Sequence, residues 1–261
     1  MVWDDILFNN YLTFLLVLAR VIGIFSFNPI FSRSNIPLMA KTGLSAALAL
    51  IMASTMEPVD LPVDTAFQLA LVFLKEAAVG AVLGFLVQMF MSMLIVAGEV
   101  IDTQIGLGMA RIMDPGTGIQ SSLYASFYSY LFILYFFAVN GHLSYIKLFA
   151  LSYEVIPIGV DSLNLGLGYT IASFFSTILI YAIKFSMPVL VSQILIEISI
   201  GILMKTVPNI QVFVVNIQVK MLIGMALMFL LATPMAEFID RYMTLMFDNL
   251  YAVLPQIAGG A

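Results

Sequence analysis

The chain has 261 residues, of which 62% are hydrophobic and 10% charged, and its formal net charge is −5. This proportion of apolar residues excludes an ordinary soluble domain, and several segments exceed the roughly 18 apolar residues that indicate a membrane span. With no cysteine and one histidine, His142, the chain excludes disulfides and a multi-histidine metal site, and it has no basic run typical of nucleic-acid binding. We therefore predict an all-α, multi-pass membrane protein without a cofactor.

The first two predicted helices flank a basic connection. The first covers residues 6–27 and contains Arg20, and it ends at an Asn-Pro dipeptide because the residue before proline avoids the helical region. No Lys or Arg precedes Arg20, so the segment lacks the positive region of a signal peptide and we expect it to be retained. The second helix covers residues 38–56. Residues 29–41, which comprise the connection and the first turn of that helix, carry Arg33 and Lys41 but no acid.

The third apolar stretch, residues 65–101, is too long for one simple span. As a single helix it would extend about 55 Å, whereas the hydrocarbon core of a bilayer is about 30 Å thick. We predict either two short helices bent near Gly80 and Gly84 or one helix that leaves the bilayer. The acid Glu76 lies inside this stretch.

A polar, glycine-rich interruption follows at residues 97–122. Glu99, Asp102 and Gln104 lie at the end of the long apolar stretch, where an acid is unfavourable unless it faces a partner or a wet cavity. Irregular backbone at membrane depth is tolerated only where protein or water covers it. We therefore interpret the interruption as a re-entrant or pore-facing loop, and an ordinary polar loop between two spans is the alternative. The residues of this loop that we single out are Gly106, Gly108, Met109, Arg111, Ile112, Met113, Asp114, Pro115, Gly116 and Gly118.

Two shorter helices and a second overlong stretch come next. We predict helices at residues 123–139 and 143–154, with Gly141 as the C-terminal residue of the first. Residues 169–204 form another apolar stretch that is too long for one span, and Pro188 is expected to kink it.

The last two segments are a membrane-length helix and an amphipathic tail. The helix covers residues 212–233, with Lys220 near its start. Glu197 lies in the preceding apolar stretch, where its carboxylate needs a partner inside the protein. The tail, residues 235–254, has one polar face and is interpreted as an interfacial or partner-packed helix. For six spans, the distribution of Lys and Arg places both termini outside the cytoplasm.

Few residues in the sequence indicate a catalytic or ion-binding site. Glu99 and Asp102 lie three residues apart on one helix face, where they could relay protons, bind a cation, or pair with Lys or Arg of a neighbouring chain. The sequence has no Gly-rich phosphate loop, no histidine–glutamate metal motif and no nucleophile elbow. An intramembrane enzyme is therefore the weakest interpretation.

Taken together, the order of motifs resembles that of the FliR-type export-gate subunits of flagellar and type III secretion systems, the FliR/SpaR family. The markers cover nearly the whole chain and are Arg20, Pro29, Arg33, Ile36-Pro37, Lys41, Glu76, Gly80, Gly84, Ala97-Gly98-Glu99, Asp102, Gln104, Gly106, Asp114-Pro115, Asn140-Gly141-His142, Pro157-Ile158-Gly159, Pro188, Glu197 and the run 208–213 that leads to Lys220. The form Asp114-Pro115-Gly116 is closer to the flagellar branch than to the virulence branch.

The resemblance implies a non-enzymatic subunit that helps to form and seal the pore through which unfolded flagellar proteins leave the cytoplasm. It implies partners of the FliP-like and FliQ-like kinds and an FlhB-like subunit, contact with membrane lipid, and a place in the bacterial inner membrane at the flagellar basal body. It also implies helical hairpins with long kinked helices, like a FliP-like subunit fused to a FliQ-like one. Residues 1–168 would form the first part, and residues 169–261 a hairpin with the tail helix.

The same resemblance suggests roles for the unusual residues. The loop at about residues 106–120 would be a plug, because its glycines let the backbone change shape and Met109, Ile112 and Met113 form an adaptable apolar surface. The polar residues within the apolar helices would serve assembly, and they are Arg20, Glu76, Glu99, Asp102, Gln104, Glu197 and Lys220. The alternative function is an ion-coupled secondary transporter in which Glu99 and Asp102 carry protons.

Overall fold

The computed structural model describes residues 2–31, 36–59, 61, 65–108, 122–159, 167–206 and 212–259, and this part of the chain is built from helices. The eight helices discussed below are α1 (Val2–Phe27), α2 (Leu38–Thr55), α3 (Ala66–Ile105), α4 (Leu123–Ala138), α5 (Gly141–Val155), α6 (Leu167–Thr206), α7 (Val212–Leu230) and α8 (Ala232–Ile257). The predicted all-α class is therefore confirmed.

The two overlong apolar stretches are both continuous helices. Helices α3 and α6 each contain 40 residues, which corresponds to roughly 60 Å, about twice the thickness of the hydrocarbon core. Of the two forms considered for α3, the single helix is the one found, since it runs through Gly80 and Gly84 without a break. Helix α6 likewise continues through Pro188.

Two helix pairs are bent sharply at short breaks. The bend is 73° between α4 and α5 and 63° between α7 and α8. At the first break Asn140 has a φ of 58°, and Gly141 is the first residue of α5. The prediction that Gly141 ends the preceding helix was therefore wrong: Asn140, which tolerates the left-handed region, occupies the turn.

Four helices in the described part of the chain are long and apolar enough to cross a membrane, or up to six if each bent pair counts as one span. The apolar window of α3 is 61% buried, whereas the windows of α2 and α6 are only 11% and 17% buried. Helices α2 and α6 therefore present most of their apolar side chains to the outside of this chain. This pattern is that of a multi-pass membrane protein.

The chain divides into two compact units that are not consecutive in sequence. Unit 1 comprises Met1–Phe90, Val139–Ser173 and Met246–Ala261, and unit 2 comprises Met91–Ala138 and Phe174–Leu245. Helices α3, α6 and α8 each contribute residues to both units. The predicted division into residues 1–168 and 169–261 runs along the chain instead, and it stays a prediction.

In unit 1, helices α1 and α3 approach each other closely at glycines. A Cβ atom added to Gly80 would lie 2.0 Å from the carbonyl oxygen of Arg20, and one added to Gly23 would lie 2.3 Å from that of Ala77. Gly80 and Gly84 form a GxxxG spacing, which is typical of closely packed membrane helices. The glycines are therefore needed for backbone contact between the two helices.

A side chain at Gly80 should force α1 and α3 apart. We expect Gly80→Val to lower the free energy of unfolding by about 3 kcal/mol, because the added atoms meet backbone that cannot rotate away. Gly43→Val in α2 is the matched control, since a Cβ there meets nothing within 4 Å, and it should change stability by less than about 0.5 kcal/mol. Thermal unfolding of the purified chain in detergent measures both. Equal effects would contradict the close packing.

Helix α8 buries its apolar face within this chain. The buried residues recur at helical spacing and are Met235, Ile239, Tyr242, Met246, Leu250, Val253 and Ile257. The exposed face carries an ion pair between Glu237 and Arg241, with a nitrogen–oxygen distance of 3.4 Å. The interpretation of this helix as interfacial or partner-packed was therefore wrong, because amphipathic spacing predicts that a face is buried but not what buries it.

Candidate functional site

A fully buried ion pair lies inside unit 1. Arg20 of α1 is 0% exposed and Glu76 of α3 is 3% exposed. The Nε of Arg20 donates to Oε2 of Glu76 at 2.7 Å, and Nη2 lies 2.7 Å from the same oxygen. A guanidinium and a carboxylate that are both removed from water are stable only in a nearly complete set of hydrogen bonds. The remaining groups of both side chains therefore need partners.

The C-terminal end of α5 and the turn after it supply these partners. Arg20 donates from Nη1 to the carbonyl oxygen of Ser152 at 3.0 Å and from Nη2 to that of Ile156 at 2.9 Å. The ring of Tyr153 lies 4.1 Å from the guanidinium carbon, and the backbone N–H of Gly159 donates to Oε1 of Glu76. Carbonyls at a helix C-terminus favour a cation. We call these six residues the Arg20 cluster, and it joins α1, α3 and α5.

The sequence predicted both charged members of the Arg20 cluster as buried polar residues but did not pair them. It also missed the carbonyl groups of Ser152 and Ile156 and the ring of Tyr153. One signal was available: a cation and an acid in two otherwise apolar helices are expected to find each other.

A second site lies in unit 2, where Asp102 of α3 holds the beginning of α4. Asp102 is 1% exposed, and its carboxylate accepts the backbone N–H of Leu123 at 2.7 Å and that of Tyr124 at 3.2 Å. The hydroxyl of Ser122 accepts the N–H of Ala125 at 3.1 Å. These are first-turn N–H groups, which have no partner within the helix. Asp102 and Ser122 together therefore cap α4.

This cap closes the base of the glycine-rich loop. Helix α3 ends at Ile105, and the next residue, Gly106, has a φ of 92° and donates its N–H to the carbonyl oxygen of Asp102 at 3.1 Å. Helix α4 begins at Leu123, whose N–H is bound by the Asp102 carboxylate, so Asp102 contacts the residues on both sides of the segment that connects α3 and α4. Gly106 and Gly108 are described by the structure, and the other predicted loop residues lie outside the described residues: Met109, Arg111, Ile112, Met113, Asp114, Pro115, Gly116 and Gly118.

The two acids at the end of α3 have different surroundings. Asp102 is buried, whereas Glu99 and Gln104 are partly exposed. The hydroxyl of Tyr124, next to the cap, donates to the carbonyl oxygen of Gly224 in α7 at 2.9 Å. The cap is therefore joined to α7 within unit 2, and the sequence did not indicate this link.

Removal of the Asp102 carboxylate should uncap α4. We expect Asp102→Ala to lower the free energy of unfolding by about 2–3 kcal/mol, since it removes two hydrogen bonds to a charged acceptor in a buried place. Asp248→Ala on the exposed face of α8 removes the same group without such contacts and should have little effect. Thermal unfolding compares the two variants, and an Asp102→Ala protein as stable as the control would contradict the capping role.

A third polar group joins α6 and α7 in unit 2. The ammonium of Lys220 contacts the carboxylate of Glu197, and Nε2 of Gln193 donates to the carbonyl oxygen of Lys220 at 3.2 Å. Lys220 is buried, whereas half of the Glu197 side chain is exposed. Within the part of the chain that the structure describes, the side-chain oxygens of Gln193 and Asn216 are buried without a hydrogen-bond partner. These contacts therefore join α6 to α7, although two buried side-chain oxygens beside them lack a hydrogen bond.

The fold and these sites define a multi-pass helical membrane protein whose buried charges join its own helices. Among the residues that the structure describes, no cluster of three or more His, Cys, Asp or Glu side chains could hold a metal ion. Comparison with known families then assigns the chain. The family described as "Bacterial export proteins, family 1" matches residues 11–246, and the chain belongs to this family.

Individual relatives match over most of their length. The chain is 34% identical to the flagellar biosynthetic protein FliR of Bacillus subtilis (strain 168) over 215 residues, which is 81% of this chain and 82% of the relative. It is 27% identical to FliR of Escherichia coli (strain K12) over 240 residues, 92% of each chain. It is also 27% identical to the Yop proteins translocation protein T of Yersinia pestis, over 96% of this chain and 97% of the relative. The resemblance predicted from the motifs is confirmed, and the chain is a multi-pass inner-membrane component of a bacterial export system.

Proposed function

We propose that the chain is a non-enzymatic subunit of the flagellar type III export gate and helps to form and seal the pore for unfolded flagellar proteins. The observation that carries this proposal is the similarity to FliR proteins along almost the entire chain. The proposed partners are FliP-like, FliQ-like and FlhB-like subunits. The apolar faces of α2 and α6, which this chain leaves uncovered, suit contact with such subunits and with lipid.

The surroundings of Asp102 support a gate subunit over an ion-coupled transporter. A proton carrier must gain and lose its proton during each cycle, and it must reach water from both sides in turn. Both carboxylate oxygens of Asp102 instead accept backbone N–H groups of α4. The Asp102 contacts therefore favour a structural anchor.

We also propose that residues 106–120 act as the plug, with Arg111 and Asp114 facing the aqueous lumen. The cap formed by Asp102 and Ser122 supports this role, because it fixes where the segment leaves α3 and where it enters α4. A plug needs firmly held ends and an adaptable middle. Glycines and methionines supply the adaptable part in the sequence.

Purification of the affinity-tagged full-length chain from the bacterial membrane tests the proposed function. If the chain is a gate subunit, native mass spectrometry should detect it in a stoichiometric complex with two kinds of small hydrophobic protein. A chain that forms no such complex and binds a small solute would contradict the proposal and favour the transporter.

A further inference from the structure

Helix α7 is held in unit 2 along a narrow line. Among residues 215–230, where the structure describes the burial of this helix, only Lys220 and Gly224 are buried. They lie four residues apart and therefore on the same helix face. Lys220 contacts Glu197 and Gln193 of α6. The contacts of Gly224 therefore determine which other part of unit 2 is held by α7.

Gly224 contacts the last residue of α3. A Cβ atom added to Gly224 would lie 2.6 Å from Cδ1, 2.7 Å from Cγ1 and 2.9 Å from Cγ2 of Ile105. Ile105 is 1% exposed, so its side chain fills the space that the glycine leaves. Both branches of this side chain would meet the added atom, and a β-branched side chain in a helix has little rotational freedom. A side chain at position 224 would therefore displace the end of α3.

The same glycine contacts the first turn of α4. The hydroxyl of Tyr124, which is 1% exposed, donates to the carbonyl oxygen of Gly224 at 2.9 Å. Ile105 is the last residue of α3 and Tyr124 the second residue of α4. The Asp102 cap ties these two helix ends to each other, whereas Gly224 ties both of them to α7. One position of α7 therefore contacts both helices between which the connecting segment runs.

We infer that Gly224 positions both ends of the segment that connects α3 and α4, and that the seal depends on this position. The inference rests on the proposed function of that segment as a plug. A larger residue would keep the carbonyl group that Tyr124 binds but not the space that Ile105 fills. Gly106 follows Ile105 directly, so a displaced end of α3 would shift the point where the segment begins.

Dye uptake by cells that carry each variant as their only copy tests the inference. Gly224→Ala should raise uptake several-fold over wild type while the export complex still assembles, which native mass spectrometry of the purified complex verifies. Gly201→Ala in α6 is the matched control, since a Cβ there meets nothing within 4 Å, and it should leave uptake unchanged. Gly224→Ala combined with Ile105→Ala should restore low uptake, because the smaller residue makes room for the added methyl group.

Two results would overturn the inference in a complex that assembles. One is a Gly224→Ala variant that takes up no more dye than Gly201→Ala, and the other is uptake that Ile105→Ala does not reduce. Tyr124→Phe removes only the hydroxyl group and should raise uptake less than Gly224→Ala does. If Gly224→Ala prevents assembly, Tyr124→Phe decides, and uptake equal to that of wild type then overturns the inference.

Deletion of residues 109–118 separates this inference from the proposed plug. If the deletion causes no leakage, the plug fails, and the contact is then tested alone by a disulfide between Ile105→Cys and Gly224→Cys in a chain without other cysteines. Both γ-carbons of Ile105 lie within 2.9 Å of a Cβ at position 224, so the two Cβ atoms are within disulfide reach. Oxidation of the assembled complex should form this bond, and its absence would overturn the inference.

Discussion

Substitution of Glu76 by Gln should lower the free energy of unfolding by about 3–5 kcal/mol, the range for breaking a buried ion pair. Gln has nearly the same shape as Glu, so the variant leaves the Arg20 guanidinium in place without its counter-charge. Native proteins are stable by only about 5–15 kcal/mol, so this loss is a large fraction of the total. We therefore expect the variant to accumulate poorly and to unfold at a markedly lower temperature in detergent.

The exposed pair on α8 offers a matched control. Glu237→Gln makes the same chemical change in the Glu237–Arg241 pair, where the two side chains are 62% and 78% exposed. Exposed ion pairs contribute less than about 1 kcal/mol because water and salt screen them. If Glu76→Gln were no more destabilising than Glu237→Gln, the Arg20 cluster would have no special part in the fold.

A double replacement separates the charge effect from the packing effect. Arg20→Met combined with Glu76→Met removes both charges, so it should be less destabilising than Glu76→Gln alone even though more atoms change. The carbonyls of Ser152 and Ile156 lose their donor in the double variant, so recovery should be partial. A double variant that is less stable than Glu76→Gln would indicate that the hydrogen bonds of the cluster outweigh its charge balance.

Deletion of residues 109–118 should make the membrane permeable to small ions or dyes while the export complex still assembles. The Asp102 cap lies outside the deleted segment, so α3 and α4 keep their contacts and the fold should persist. The seal should fail because its apolar residues are gone. Dye uptake and conductance of cells that carry the variant as their only copy measure the effect.

A length-matched variant is the control for this deletion. Replacement of residues 109–118 by a ten-residue Gly/Ser linker keeps the chain length but removes Met109, Ile112 and Met113. It should leak as well, because a flexible polar segment cannot exclude water. If permeability is unchanged in both variants, residues 109–118 only connect α3 and α4 and do not act as a plug.

The sequence predicted the helices better than the contacts between them. The apolar stretches at residues 65–101 and 169–204 indicated the extents of α3 and α6 within a few residues, but they left open whether the first consists of two helices bent near Gly80 and Gly84. Helical periodicity could not identify the partner of Arg20, because it relates only residues three or four apart and Glu76 lies 56 residues away. The Asp102 cap was missed for the same reason, as its N–H partners follow a loop.

The polar contacts between α6 and α7 were predictable only in part. Gln193 and Glu197 are one helical turn apart, so their shared face and their need for partners were predictable. Lys220 as the partner was not, because it depends on how α7 returns along α6. Helix α8 illustrates the same limit, since its spacing predicted a buried face whose covering could be membrane, partner or this chain.

As a gate subunit, this chain would line a channel for exported protein. A photo-crosslinking amino acid at Ile112 tests it most directly, in cells where an export substrate is arrested by a C-terminal domain that stays folded in the cytoplasm. Leu50, which is exposed on α2, is the control position. We expect crosslinks between the substrate and position 112 and none from position 50. Assembly of the complex without any substrate crosslink from position 112, or with equal crosslinking from both positions, would contradict the account.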